Sequence, residues 1–353
     1  MPSRKSRNYD KLYKICPLIS QILINFKEFY APAKEQAIDE CMVKFKERIA
    51  FKQYMPQKPI KRGYKIWARA DRLGHICDFQ IYTGKVEGIV EKSLGERILR
   101  DMCKGLEGKG YHVYFDNFFT SVSLLQKLKD DGLFACGTIR SHRKGLPTLK
   151  TDKELQRGEF DWSVRSVGIA CIKWKDKRVV TLLSTIDSPV CVEEVSHKEK
   201  DGKITKVPFP KIVKSYNANM GCVDKADMTN SFYAIDGKSR RWWLILFWYI
   251  VDISIGNAFI LFRLCNPIAK QVLKDFRRRV ATGLVGSNVF KDSPGHPSTL
   301  SEPSAKKFKS VVPHEKRISE AKHRPKHGTS RRCVHCSTRK NPTEADGHVV
   351  TAR

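Results

Sequence analysis

From residue 9 to residue 29 apolar side chains recur every three or four positions, at Leu12, Ile15, Leu18, Ile19, Ile22, Leu23 and Phe26, the repeat of an amphipathic helix. Pro17 falls inside that run and must break or offset its first half, because its ring removes a backbone donor. The period then changes. Residues 37–45 alternate apolar and polar as a half-buried strand does, with Ile38, Cys41, Val43 and Phe45 in the apolar set. After a proline-rich basic connector at 54–63, two further strands are expected at 64–69 and 75–83, joined by a turn at 71–74, so that three consecutive strands make an antiparallel meander. A helix is expected over 93–106, with Leu94, Ile98, Leu99 and Met102 on one face, then a strand at 111–115, a helix at 119–129 and a strand at 133–139.

The resulting order, βββαβαβ, is that of a ribonuclease-H-like core, an α/β fold with a mixed sheet flanked by helices. Residues 140–210 have a different texture, with short apolar runs such as 179–184 between charged turns, and read as a β-rich insertion. Two helices are expected at 217–233 and 241–265, completing the core over 211–285 after its first part at 37–139. Beyond Val285, Pro, Ser and Lys dominate, and 286–332 is expected to be a disordered basic tail. No internal repeat is visible.

Residues 242–265 are long and apolar enough to span a bilayer. Asp252 near the centre would cost about 2.5–3.5 kcal/mol on insertion scales, so a helix buried in a core is preferred, with a membrane span as the rival reading.

Composition narrows the class. With 353 residues, 41% of them hydrophobic, a real core is affordable and general disorder is excluded. Lys and Arg number 66 against 37 Asp and Glu, a formal charge of +29, which points first to nucleic acid as partner. The 11 cysteines, an odd number spread mostly singly, read as thiols of a reduced intracellular protein. The basic start of the chain is interrupted by Asp10, Lys11 and Lys14, so no secretory signal is expected.

Candidate chemistry lies in the carboxylates. Asp116 ends an apolar strand, at the rim where ligands of α/β proteins sit; the alternative is that it or Asn117 caps the helix expected near Phe119. Asp39 lies within the first strand, where a buried carboxylate is unfavourable unless paired or metal-bound. Asp224 and Asp227, at i and i+3, share a helix face, and a solvated face is their bland alternative. In a ribonuclease-H-like sheet the first strand and the end of the fourth lie side by side, and a later helix can bring a third acid. Two Mg2+ or Mn2+ ions about 3.5–4 Å apart would neutralise such a cluster and serve phosphodiester chemistry.

The chain resembles the piggyBac transposases and the proteins derived from them, through Ala-Ile-Asp-Glu (37–40) followed by 51–59 (FKQYMPQKP), Tyr-Phe-Asp-Asn-Phe-Phe-Thr-Ser (114–121), Gly-Thr-Ile-Arg (137–140) and Gly-Cys-Val-Asp-Lys-Ala-Asp (221–227). By that resemblance Asp39, Asp116 and Asp224 are catalytic metal ligands and Asp227 is the accessory one. The family's chemistry implies two-metal cleavage and strand transfer of DNA at TTAA sites, with hairpin intermediates, in the nucleus, and a homodimer. It also implies that residues 1–36 are the remnant of a longer dimerisation and DNA-end-binding region, and that 333–353 belong to a cysteine-rich zinc domain. Cys333 and Cys336 alone make an incomplete site, so no structural zinc is expected. Lys58, Lys61, Arg62, Arg140, Arg143, Arg240 and Arg241 are candidates to line a DNA channel, whereas Trp242, Trp243, Phe247 and Trp248 are expected to anchor the last helix in the core. The rival to a transposase-derived enzyme is a domesticated or decaying DNA-binding protein without strand-transfer activity.

Overall fold

In a computed structural model, which describes residues 10–84, 91, 93–198, 204–235, 237, 239–286, 325–326, 331–332, 344–345 and 348–349, the first helix, α1 (Cys16–Phe29), begins one residue before Pro17. A first-turn position suits proline, whose missing N–H would have no intrahelical partner there. The helix expected from residue 9 therefore loses its front to turns, and Pro17 starts it instead of breaking it.

Strand β1 (Glu35–Lys44) follows, then the short β2 (Gln53–Tyr54), β3 (Arg62–Asp71) and β4 (Ile76–Ile81). β1 and β3 pair antiparallel, as do β3 and β4, which is the expected meander, and β2 pairs with the start of β3. Helix α2 (Leu94–Cys103), β5 (His112–Phe115), α3 (Val122–Asp130) and β6 (Phe134–Thr138) come next. β5 lies parallel to β1 on one side and parallel to β6 on the other.

The β-rich stretch does not stand apart from this sheet. β7 (Phe160–Val164), β8 (Ala170–Lys175) and β9 (Val179–Ser184) extend it beyond β6 through antiparallel pairings, giving nine strands, while β10 (Val192–Lys198) and β11 (Ile204–Pro210) form a separate hairpin. The helix expected over 217–233 is two helices, α4 (Lys211–Asn219) and α5 (Cys222–Ser231), separated at Met220 and Gly221. Asn219 turns its side-chain amide back onto the Ser215 carbonyl at 2.9 Å, and the Cys222 thiol donates to the Asn219 carbonyl at 2.8 Å, so local bonds close the first helix before the second begins. α6 (Trp242–Cys265) and α7 (Leu273–Val285) end the first unit.

Side-chain alternation sorts the core onto two faces. Ile38, Trp67, Val113 and Phe115 point to α2 and α3, where Ile98, Leu99, Leu124, Leu125 and Leu128 are all but fully buried. Each such leucine or isoleucine contributes about 1.5–3 kcal/mol. Ala37, Cys41, Ile66, Ala68 and Tyr114 point the other way, to a cluster that includes Val223, Ala226, Leu246, Ile250 and Ile253 of α5 and α6. Asn257 of α6 pairs with the edge strand like another backbone: its Oδ1 accepts from the Ile76 N–H and its Nδ2 donates to the Ile76 carbonyl, both at 2.9 Å.

Among the described residues α6 is the one helix long and apolar enough to cross a membrane. In this fold its buried Asp252 pairs with Arg277 of α7 at 2.5 Å and accepts the Ile235 N–H at 2.9 Å. The second unit, 286–353, is described only where Pro325–Lys326 pairs with His348–Val349 and Arg331–Arg332 with Glu344–Ala345. The rest of the expected basic tail, with Cys333 and Cys336, lies outside the described residues.

Candidate active site

The parallel register of β1 and β5 sets Ile38 opposite Phe115, so the next residue on each strand, Asp39 and Asp116, arrives at the same rim of the sheet. Asp39 stands across β3 from Ala68, a small neighbour that leaves room above it. Its Oδ1 accepts the Glu40 N–H at 2.8 Å. Asp116 closes a short turn, Oδ1 accepting the Phe118 N–H at 2.9 Å, and its carbonyl takes the Thr120 hydroxyl at 2.8 Å. It does not cap α3: that helix starts at Val122, later than expected, and is capped by Ser121, whose hydroxyl accepts the Leu124 N–H at 3.1 Å. The capping alternative for Asp116 is thereby removed.

Asp224 and Asp227 sit on α5, which packs on β1 and β3. They line a cavity of about 480 Å³ with Glu40 and Lys58 on one wall and Ile245, Trp248 and Tyr249 on another. Lys58 donates to the Glu40 carbonyl at 3.3 Å and lies 3.4 Å from a Glu40 carboxylate oxygen. At the wall, the Cys41 thiol and the Tyr249 hydroxyl are 3.3 Å apart.

These groups share one electrostatic field. Burial, then the negative charge of Glu40, pushes Asp39 up to about 7; Lys58 and the Glu40 N–H oppose the rise and Asp116 adds to it. Asp227 is likewise pushed up to about 7, by burial first and Asp224 next, against Lys58 and a hydrogen bond from Cys41. Asp116 is raised by burial, with the Phe118 N–H, Lys58 and Lys65 working against it and Glu40 with it. Burial alone would lower Lys58, but Asp39, Glu40 and Asp224 outweigh it and hold the ammonium above its ordinary range.

Hard carboxylate oxygens in excess over nearby cations are the donor set a Mg2+ or Mn2+ ion takes. Asp224 and Asp227 line the cavity with Glu40; Asp39 and Asp116 are not among its lining residues, and among the described residues no three His, Cys, Asp or Glu side chains form a group that could hold one ion. Mg2+ is ordinarily held by one or two carboxylates, with water and substrate phosphate completing its shell, so an open arrangement of this kind fits it. A larger cavity, about 630 Å³, lies between α2 and α3, but its charges are matched in pairs such as Lys127–Glu96 and Arg97–Asp101.

The basic candidates separate by position. Arg140 and Arg143 bracket the residue after Asp116, Arg140 Nε donating to Asn117 Oδ1 at 2.9 Å and Arg143 Nη2 to the Asn117 carbonyl at 3.2 Å. Lys61, Arg62, Arg240 and Arg241 are exposed, and Arg62 covers the Tyr54 ring at 5.2 Å. Of the tryptophans, Trp242 packs edge-on against Phe51 at 5.7 Å and Trp248 against Phe247 at 4.9 Å. Glu40 and Lys65 belong to the site without having been singled out from the sequence. Adjacency to Asp39 was the available signal for Glu40; Lys65, which covers the Phe118 ring at 4.9 Å, gave none in so basic a chain.

Comparison with known proteins follows the same lines. A family model described as Transposase IS4 matches residues 1–259. The chain is 33% identical over 297 residues to human PiggyBac transposable element-derived protein 3, covering 81% of this chain and 50% of that protein. It is 31% identical over 300 residues to human PiggyBac transposable element-derived protein 2, covering 82% and 50%. It thus spans about half the length of the curated relatives it matches. Its fold is similar to that in the cryo-EM structure of the piggyBac transposase synaptic complex with hairpin DNA, at a TM-score of 0.70 and 23% identity over 83% of this chain and 62% of that one.

Proposed function

The chain belongs to the piggyBac-type transposases, a family described as Transposase IS4, and from that premise we propose that it cuts and joins DNA at TTAA sites by metal-dependent phosphoryl transfer. In this reading Asp39, Asp116 and Asp224 are the catalytic carboxylates, Asp227 is the accessory one, and together they hold two Mg2+ or Mn2+ ions. The observation that carries it is the register of β1 on β5, whose shared pairing stops at Ile38 and Phe115 and so sets Asp39, midway along β1, beside Asp116, just past the end of β5, with the α5 carboxylates nearby in the same field. The order β4-β3-β1-β5-β6, antiparallel through β1 and parallel from there to β6, supports a ribonuclease-H-like core.

When bound, such ions activate the attacking oxygen and steady the leaving one. The chain's own residues do the rest. Burial and a neighbouring carboxylate, Glu40 beside Asp39 and Asp224 beside Asp227, disfavour the ionised form by more than Lys58 offsets, so both sites favour an incoming cation. Arg140 and Arg143, fixed on Asn117 beside Asp116, are set to meet backbone phosphates at the rim. DNA as substrate makes the nucleus the working compartment and a second copy of the chain the partner for paired transposon ends.

A second reading, a DNA-binding protein without strand-transfer activity, draws on the open spacing of the carboxylates. The discriminating experiment is Mg2+- or Mn2+-dependent nicking and strand transfer on TTAA-containing DNA at low salt, wild type against Asp116→Ala. Activity lost in the variant supports the enzyme. Equal inactivity with intact DNA binding refutes it in favour of the second reading.

A further inference from the structure

Lys58, one of the seven basic candidates for DNA contact, turns inward. The connector that carries it is a tight local structure: the Met55 N–H donates to the Lys61 carbonyl at 2.8 Å and the Lys58 N–H to the Met55 carbonyl at 3.2 Å. From that fixed base the side chain reaches β1, where its ammonium meets the carbonyl and the carboxylate of Glu40 at 3.3 and 3.4 Å. The two ends are sheltered, with 29% of the Lys58 side chain and 12% of the Glu40 side chain exposed. Lys61 and Arg62, a few positions along the same connector, are exposed. Lys58 and Glu40 line the same cavity as Asp224 and Asp227.

A sheltered ammonium is costly unless it faces carboxylates, and this one faces more of them than it can neutralise. We propose that Lys58 is the built-in counter-cation of the carboxylate cluster, holding the charge of Asp39, Glu40, Asp224 and Asp227 together in the ion-free chain and competing with an added divalent cation for the same oxygens. The inference rests on the metal-dependent reading above. An ammonium and a divalent ion both seek hard oxygen donors, and like charges at one cluster repel. The flexible four-carbon stem lets the ammonium withdraw when an ion arrives. Lys58 is thus a positioning residue, acting on the carboxylates and not on the substrate.

The test is Mn2+ binding by the full chain without DNA, read from the electron paramagnetic resonance of free aqueous Mn2+, with thermal melting in chelator alongside. Lys58→Met keeps the stem and removes the charge; it should lower the melting temperature in chelator yet bind Mn2+ about tenfold more tightly, about 1.4 kcal/mol. Lys58→Arg, which keeps the charge, should bind as wild type does, and Asp116→Asn more weakly. Lys58→Met binding equal to or weaker than wild type, while wild type exceeds Asp116→Asn, would overturn the proposal and leave the metal reading standing. Wild type and Asp116→Asn binding alike would sink the metal reading. In that case a gain confined to Lys58→Met, and lost again when Asp39→Asn is added, still supports the counter-cation, and its absence overturns that too.

Discussion

Replacing Asp39 by Asn should make the ion-free protein more stable at neutral pH, an unusual direction for a change at a buried polar site. The ordinary carboxyl value of 3.8 rises to about 7 in the folded chain, chiefly through burial and then Glu40. Below pH ~4 the carboxyl is protonated in both folded and unfolded chains and costs nothing. Between ~4 and ~7 the unfolded chain releases the proton and the folded one keeps it, so stability falls as pH rises. Above ~7 the cost is complete. At about 1.36 kcal/mol per pH unit, its ceiling is about 4 kcal/mol. Solvent at the half-buried Asp39 and the loss of one partner for Lys58 bring the expected gain of Asp39→Asn to about 2 kcal/mol. The amide Oδ1 still accepts the Glu40 N–H, so no new orphan is created. Urea unfolding in chelator at pH 4.5 and pH 8 reads this directly. The variant's midpoint should exceed wild type by roughly 0.7 M at pH 8 and by only about a quarter of that at pH 4.5. A variant less stable at pH 8, or one whose gain is the same at both pH values, would refute the reasoning.

Three further outcomes follow from other parts of the chain. Asp71 accepts the Tyr30 hydroxyl at 2.5 Å and the N–H groups of Ala33, Leu73 and His75 at 3.2, 3.0 and 3.1 Å, tying the entry to β1 to the β3–β4 turn. Asp71→Ala strands these donors and should cost about 3 kcal/mol in urea unfolding, with Asp71→Asn costing less. Asn257→Leu leaves the Ile76 N–H and carbonyl unpaired in the core and should cost about 2 kcal/mol, measurable as faster amide exchange at Ile76 as well as a lower midpoint. Arg140→Ala with Arg143→Ala should weaken DNA binding evenly across sequences and reduce the salt slope by about 1 per arginine, while the unfolding midpoint stays near wild type.

The sheet was legible where its own chemistry is local. Alternation marked β1, the turn at 71–74 separated β3 from β4, and the apolar runs of β5 and β6 marked the two parallel strands, signals that each lie within a few neighbouring residues. The extension by β7, β8 and β9 was not legible, since it depends on Cys136, Gly137 and Thr138 meeting Ser184, Leu183 and Leu182, a pairing no local pattern records. Helix α7 was hidden by Lys274, Arg277, Arg278 and Arg279, which blur its apolar stripe, and by Asp252, the distant partner that gives Arg277 a reason to be there.

The site shows the same division. Its carboxylates could be picked out by place, Asp116 just past an apolar strand, Asp39 inside a half-buried one and Asp224 with Asp227 on one helix face, and by the resemblance that joined them. Lys58 could be named only as one of seven DNA-channel candidates, and its inward turn could not be read, for the converse reason. Among 66 lysines and arginines a single inward one leaves no mark in composition, and its connector reads equally well as a DNA-facing ridge. What separates it from Lys61 is direction, set by the turn that bonds Met55 to Lys61 and Lys58 back to Met55. On the proposed reading this rim uses both signs of charge: acids that cost the fold stability when ionised, and one lysine held close enough to offset part of that cost.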